Sequence, residues 1–313
     1  MTLREAIEQF IIFRRSLGSR FRTQSYVLRH FLKGLDDGIS CDDVSPEQIR
    51  AFIAGQGPLT PTRALKYSVL AVFYRHAISR GYATRWPLPD NEPSAPRTPR
   101  PHVYSRDEVH RLLDGVERHY KRALQLDADT MRTLILLLYG AGLRAGEARR
   151  LTVADVDLKA AVLTVRRSKF YKTRLVPVGP RLADVLAGYA GQRASRPLPK
   201  GKDSSFLANL DGTPLVRGTA EQSFARLRRR VGVCGTEGSL APGLHSLRHS
   251  FAVHRVTSWY REGADVQRLL PVLSTYLGHA RLSDTQVYLT MTPELLQEAS
   301  QRLERYARGG NHA

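Results

Sequence analysis

Between His245 and Tyr288 the chain sets out side chains that could act together on one phosphate: His245-Ser-Leu-Arg248-His249, then Leu277-Gly278-His279, then Thr285-Gln-Val-Tyr288. Guanidinium keeps its charge and can hold two phosphate oxygens at once. Imidazole titrates near neutrality, and a tyrosine hydroxyl can serve as a nucleophile. Upstream, Gly142-Leu143-Arg144-Ala-Gly-Glu147 adds a second arginine and a carboxylate after a glycine turn. Arg248 follows His245 by three positions, so on a helix the two share a face. Two arginines on one phosphate would supply charge where it accumulates in a pentacoordinate transition state. Each residue alone also has a plainer reading: surface arginines are common in so basic a chain, and Tyr288 lies between Val287 and Leu289 as a packing residue would. The ordered combination favours chemistry.

Composition narrows the partner. The 313 residues carry 48 Lys and Arg against 29 Asp and Glu, a net charge of +19 with pI near 10.4. Such an excess favours a polyanion, because neutralising phosphates releases condensed counterions. With 42% apolar residues there is material for real cores. Cys41 and Cys234 are too few for a disulfide framework, and the histidines lack zinc spacing, so neither a metal nor a cofactor is expected. No phosphate-cradling Gly-x-x-x-x-Gly-Lys loop occurs. The first residues carry charges of both signs, and no apolar run reaches the roughly 18 residues of a membrane span. The expectation is a cytoplasmic, nucleoid-associated protein with no membrane partner.

The elements that must position these residues divide into two domains. Six prolines between Pro87 and Pro101 mark a semi-extended linker over about 91–102. Ahead of it (1–90) the pattern is four helices. Thr2-x-x-Glu5 and Ser45-Pro46-Glu47-Gln48 read as capping boxes, Thr23 to Leu35 keeps the helical period, and Thr60-Pro61 opens a helix to about Arg80. Behind it (103–313) the pattern is mixed. Ser105-x-x-Glu108 opens a helix and Met131 to Tyr139 reads as a buried one. Ala161–Val165 and Arg174–Val178 read as a hairpin through Ser168-Lys169-Phe-Tyr-Lys172. Thr292-Pro293 caps a last amphipathic helix to about Arg308, whose apolar stripe suits its own domain or a neighbouring protomer equally. The run Arg226-Leu-Arg228-Arg229-Arg230 is either a set of DNA-backbone contacts or a solvated face.

The order Gly-Leu-Arg144-Ala-Gly-Glu147, hairpin lysine, His245-Ser-Leu-Arg248-His249-Ser-Phe-Ala, Leu-Gly-His279 and Tyr288 resembles the tyrosine recombinases, also called phage integrases. The resemblance implies a mainly α fold with a small antiparallel β-sheet: an N-terminal helical, SAM-like core-binding domain followed by an α+β catalytic domain. It implies Tyr288 as nucleophile, forming a 3′-phosphotyrosine and freeing a 5′-hydroxyl. Arg144 and Arg248 become the phosphate clamp, His245 moves the tyrosine proton or poises the phosphate, and His279 donates to a non-bridging oxygen. Glu147 supports its neighbours. Lys169 fits the general-acid position better than Lys172, with Arg174 as the family's later arginine. His249, one residue round the helix from Arg248, is expected to point elsewhere and be structural.

The same resemblance implies double-stranded DNA recombination sites as partner and a homotetramer in the synaptic complex, or a mixed assembly with a related recombinase. Mobile-element integration is the favoured task and Xer-type dimer resolution the second. A type IB-like topoisomerase or an inactive DNA-binding protein stands behind both. One departure concerns positioning. The stretch between Arg248 and Leu277, around Thr257 to Leu273, is several residues longer than in many members, which leaves the delivery of Tyr288 to the clamp for the structure to decide.

Overall fold

The computed structural model describes residues 1–19, 21–55, 61–90, 101–119, 126–166, 173–235, 241–290, 296–301 and 304. The prolines at 93, 96 and 99, the hairpin turn with Lys169 and Lys172, and most of the segment after 290 lie outside them. The chain forms two compact units, Met1–Thr98 and Pro99–Ala313.

The first unit contains α1 (Leu3–Ser16), α2 (Arg22–Leu32), α3 (Pro46–Ala54) and α4 (Pro61–Ser79). Both expected capping boxes form. The Thr2 hydroxyl accepts from the Glu5 amide while the Glu5 carboxylate accepts from the Thr2 amide, and Ser45 and Gln48 do the same. Leu3, Ala6, Ile7, Phe10 and Ile11 recur at helical spacing and bury one stripe of α1. Phe10 meets Phe21 and Phe73 edge-on at 5.4 and 5.7 Å. α2 stops at Leu32 rather than Leu35, because the amides of Lys33, Gly34 and Leu35 bond three residues back, to the carbonyls of His30, Phe31 and Leu32, in successive turns.

The second unit begins with α5 (Arg106–His119), opened by the reciprocal Ser105–Glu108 box, and α6 (Ala128–Gly140). A short α7 (Ala145–Ala148) leads to β1 (Val156–Asp157), β2 (Val162–Val165) and β3 (Arg174–Pro177). These form a three-stranded antiparallel sheet in the order β1-β2-β3, with Val162 opposite Pro177 and Val165 opposite Arg174. Then come α8 (Pro180–Ser195), α9 (Arg217–Arg230), α10 (Leu244–Arg261), α11 (Val266–Leu277), α12 (Ser283–Gln286) and a 3₁₀ turn, Val287–Thr290. Apolar α6 is the hub, packed against α8 and α10. The long stretch after Arg248 is absorbed as regular helix, α10 and α11 joined by a tight turn at Gly263.

The turn between α6 and α7 fixes where Arg144 stands. Gly142 has φ +61°, and a Cβ there would come within 2.6 Å of Phe251 on α10 and 2.9 Å of Leu277 on α11. Only glycine combines that backbone with that approach. Gly142→Ala should therefore destabilise the second unit by about 2–4 kcal/mol, from the left-handed backbone plus overpacking. Calorimetry should show its unfolding transition at lower temperature, with that of the first unit unmoved.

Candidate active site

The site is assembled at the C-terminus of α11. A helix ends with carbonyls that lack intrahelical partners and carry partial negative charge. Here three arginines from three separate elements take them up. Arg174 on β3 donates through Nε to the Tyr276 carbonyl at 2.9 Å. Arg248 on α10 donates through Nη2 to the Leu277 carbonyl at 2.7 Å and through Nη1 to the Gly142 carbonyl at 2.6 Å. Arg144, at the N-cap of α7, donates through Nη2 to the Gly278 carbonyl at 3.0 Å. Gly278 has φ +67°, and a Cβ on it would lie 2.8 Å from Arg174 Nη1, so the helix end must be bare for that guanidinium to pass.

Three neighbouring cations need an anion, and buried Glu147 is that anion. Its carboxylate accepts from Arg144 Nη1 at 2.8 Å, from Arg174 Nη2 at 2.8 Å and Nη1 at 3.1 Å, and from the Arg144 amide at 3.0 Å. Burial alone would raise its pKa. Hydrogen bonding and charge from Arg174, then Arg144, overcome this and hold the carboxyl at about 2. Arg248 is 1% exposed, and burial followed by repulsion from Arg144 draws it down to about 10, which leaves it charged at neutral pH.

Tyr288 lies against this cluster in its own chain, 2% exposed. Its ring stacks with His279 at 6.0 Å and meets His249 at 5.6 Å. Burial raises its pKa, while the charge of Arg248 and a hydrogen bond from it pull the other way. His279 has a defined tautomer. An arginine N–H can only donate, so Nε2 accepts from Arg248 Nη2 at 3.0 Å, leaving the ring proton on Nδ1 to be donated to Thr285 Oγ1 at 2.7 Å. Burial, then Arg248 and Arg144, lower His279 to about 4, so it is neutral. His245, at the start of α10, reaches solvent, yet crowding by its surroundings followed by Arg248 and Arg144 also lowers it.

The structure thus brings together Arg144, Glu147, Arg248, His279 and Tyr288, with Arg174 among them. His245 joins through His249, whose ring lies 4.5 Å from it. This corrects the expectation for His249: it faces the site. Its position four residues after His245 is the signal that was available, since i and i+4 share a helix face. Burial, followed by His245 and Arg248, lowers it to about 3, and its buried Nδ1 has no hydrogen-bond partner among the described residues. Thr285, fully buried beneath His279, was not singled out by sequence. Within the basic run, Arg226, Arg229 and Arg230 are exposed, whereas Arg228 turns back to the Val233 carbonyl. In the tail, Glu298 pairs with Arg261 of the same chain at 2.8 Å, so that residue packs on its own unit. Among the described residues no group of side chains could hold a metal ion, and no helix is long and apolar enough to cross a membrane.

Residues 103–294, the span that builds this constellation, match the family model described as the phage integrase family. The chain belongs to the phage integrase family. A protein of Sinorhizobium fredii named as an integrase/recombinase, y4rB, is 36% identical over 308 residues, covering 97% of this chain and 98% of that relative. The tyrosine recombinase XerD of Corynebacterium glutamicum is 33% identical over 253 residues, covering 80% and 78%. Two solved structures share the fold. The Tn1549 transposon integrase in complex with transposon right end DNA aligns with TM-score 0.69 at 17% identity, covering 98% of this chain and 100% of that one. A lambda integrase dimer bound to a core site aligns with TM-score 0.66 at 20% identity, covering 94% and 97%. Within this family the mainly α fold with its small sheet, and membership of the tyrosine recombinase enzymes, follow for this chain.

The Glu147 contacts make a prediction about acid stability. Its folded pKa, about 2, lies below the ordinary 4.5. Its contribution is therefore complete above about 4.5 and lost as pH falls towards 2. Glu147→Gln should cost about 3–5 kcal/mol near neutral pH, as expected when one partner of a buried ionic group is removed. In melts from pH 7 to pH 2, the gap between native chain and variant should shrink over that acid window.

Proposed function

We propose that this chain cuts and rejoins double-stranded DNA with Tyr288 as nucleophile, as a site-specific recombinase. The observation that carries the reading is the burial of Tyr288 beside an arginine cluster built by Glu147 and the end of α11. The Tyr288 hydroxyl oxygen attacks phosphorus, and the bond to the 5′-oxygen breaks. The product is a 3′-phosphotyrosine and a free 5′-hydroxyl, and attack by a 5′-hydroxyl reverses the step with no external energy source. Arg144 and Arg248 face the phosphate and offset the charge that grows on its oxygens. Arg174 and Glu147 keep those two aimed. His245, whose pKa is lowered by burial and then by Arg248 and Arg144, takes up the tyrosine proton; the His249 ring lies 4.5 Å from His245 and 5.6 Å from Tyr288. Lys169, with Lys172 as alternative, protonates the leaving 5′-oxygen.

Each chain carries one nucleophile and an exchange between two duplexes cuts four strands, so the working assembly is a homotetramer or a mixed tetramer with a related recombinase. The helical first unit (1–90) serves as core-binding domain, joined through the linker 91–102 to the catalytic domain (103–313), and each unit contacts the DNA in the nucleoid. Movement of a mobile element is the favoured task. Dimer resolution is the second; the nearly full-length match to a protein whose name includes integrase supports the first.

A nicked suicide substrate carrying the element's junction tests this reading. The native chain should leave an SDS-resistant DNA adduct, and Tyr288→Phe should leave none while still binding. Arg248→Ala should form adduct about 10²–10³-fold more slowly, the scale of losing one transition-state donor. Recombinant junctions, beyond relaxed circles, separate a recombinase from a topoisomerase. No adduct on the junction from the native chain would overturn the reading.

A further inference from the structure

We propose that Thr285 is a positioning residue for strand cleavage: its hydroxyl holds the Nδ1–H of His279, so that Nε2 is the nitrogen turned to the arginines. The proposal rests on the reading of Tyr288 and His279 above. Thr285 is 0% exposed, so no bulk water competes for its hydroxyl. The Nδ1 to Oγ1 distance is 2.7 Å, and the 3.0 Å contact from Arg248 Nη2 requires a lone pair on Nε2. The two contacts define one tautomer and one ring orientation.

The place of Thr285 in the chain gives the bond a second effect. It lies on α12, three residues before Tyr288 on the following 3₁₀ turn, and its own amide is tied to the Leu282 carbonyl. His279 follows the cap of α11, where its amide bonds to the Ser274 carbonyl. One hydroxyl therefore ties the segment carrying the nucleophile to the helix end that gathers the arginines. Without the hydroxyl, Nδ1–H would be left buried and unsatisfied. The proton would move to Nε2, and two N–H groups would then face each other across the Arg248 contact. A threonine that merely fills space would be replaced by valine without either effect.

The test compares the native full-length chain with Thr285→Val, which keeps shape and loses the hydroxyl, and Thr285→Ser, which keeps the hydroxyl. Histidine ¹⁵N NMR should report His279 as Nδ1–H in the native chain and in the Ser variant, but not in the Val variant. On the nicked substrate, Thr285→Val should form adduct about 10–100-fold more slowly, the scale on which losing the group that orients a metal-binding histidine acts. DNA affinity should be unchanged, and Thr285→Ser should recover most of the rate. A Val variant with native tautomer and native rate overturns the proposal, as does a Ser variant no better than Val. If the native chain forms no adduct, the cleavage reading fails instead, and the NMR comparison alone then decides whether Thr285 sets the tautomer.

Discussion

The site depends on one constraint: three arginines must stand side by side in a partly dry pocket without pushing one another apart. Like charges at such spacing repel strongly where water is excluded. The solution combines a full charge with fractional ones. Glu147 gives Arg144 and Arg174 a shared carboxylate, and the carbonyls ending α11, with that of Gly142, give all three geometrically fixed acceptors. Arg248 relies on carbonyls more than its neighbours do, since its nearest approach to Glu147 is 3.9 Å. Its charge is thus the least neutralised and the most deeply buried of the set, the condition in which a cation interacts most strongly with an entering phosphate.

Backbone serves function here as directly as side chains do. Two glycines permit the approach, one letting the α6–α7 turn press against α10 and the other leaving the end of α11 open to Arg174. The acceptors at Gly142, Tyr276, Leu277 and Gly278 are main-chain atoms, so mutation of those residues changes the site by moving backbone rather than by deleting a group. Packing holds that backbone still. Leu277 and Tyr288 share a buried cluster with Phe251, Val256 and Leu273, which ties the tyrosine to the helices that present the arginines.

Much of this was legible in the linear sequence. The capping boxes at Thr2, Ser45 and Ser105 start helices where the pattern placed them, and Val162–Val165 pairs with Arg174–Pro177 within a residue of the expected strands. The spacing of Arg144, Arg248, His279 and Tyr288 announced the cluster. Its wiring was not legible, for two physical reasons. Carbonyl acceptors are identical at every residue, so nothing in the letters marks Leu277 as the partner of Arg248. Helical periodicity says which residues share a face, not what that face meets. The expectation of an outward His249 fails for this reason, although His245 four positions before it shares its face. Thr285 carries no signal in the letters, because its contact is with a histidine six positions earlier, across a turn.

The seating of Tyr288 has a wider consequence. The tyrosine, the arginines and His279 come from one polypeptide and are locked together by its own core. Under the proposed cleavage chemistry, ownership of each cut would stay with a single molecule. In an assembly that mixed intact and disabled copies, a missing hydroxyl on one subunit would not be made good by a neighbour's spare. Such an assembly would behave as a mosaic, severing only the strands that happen to face whole copies, and stalling part-way through exchange rather than slowing uniformly.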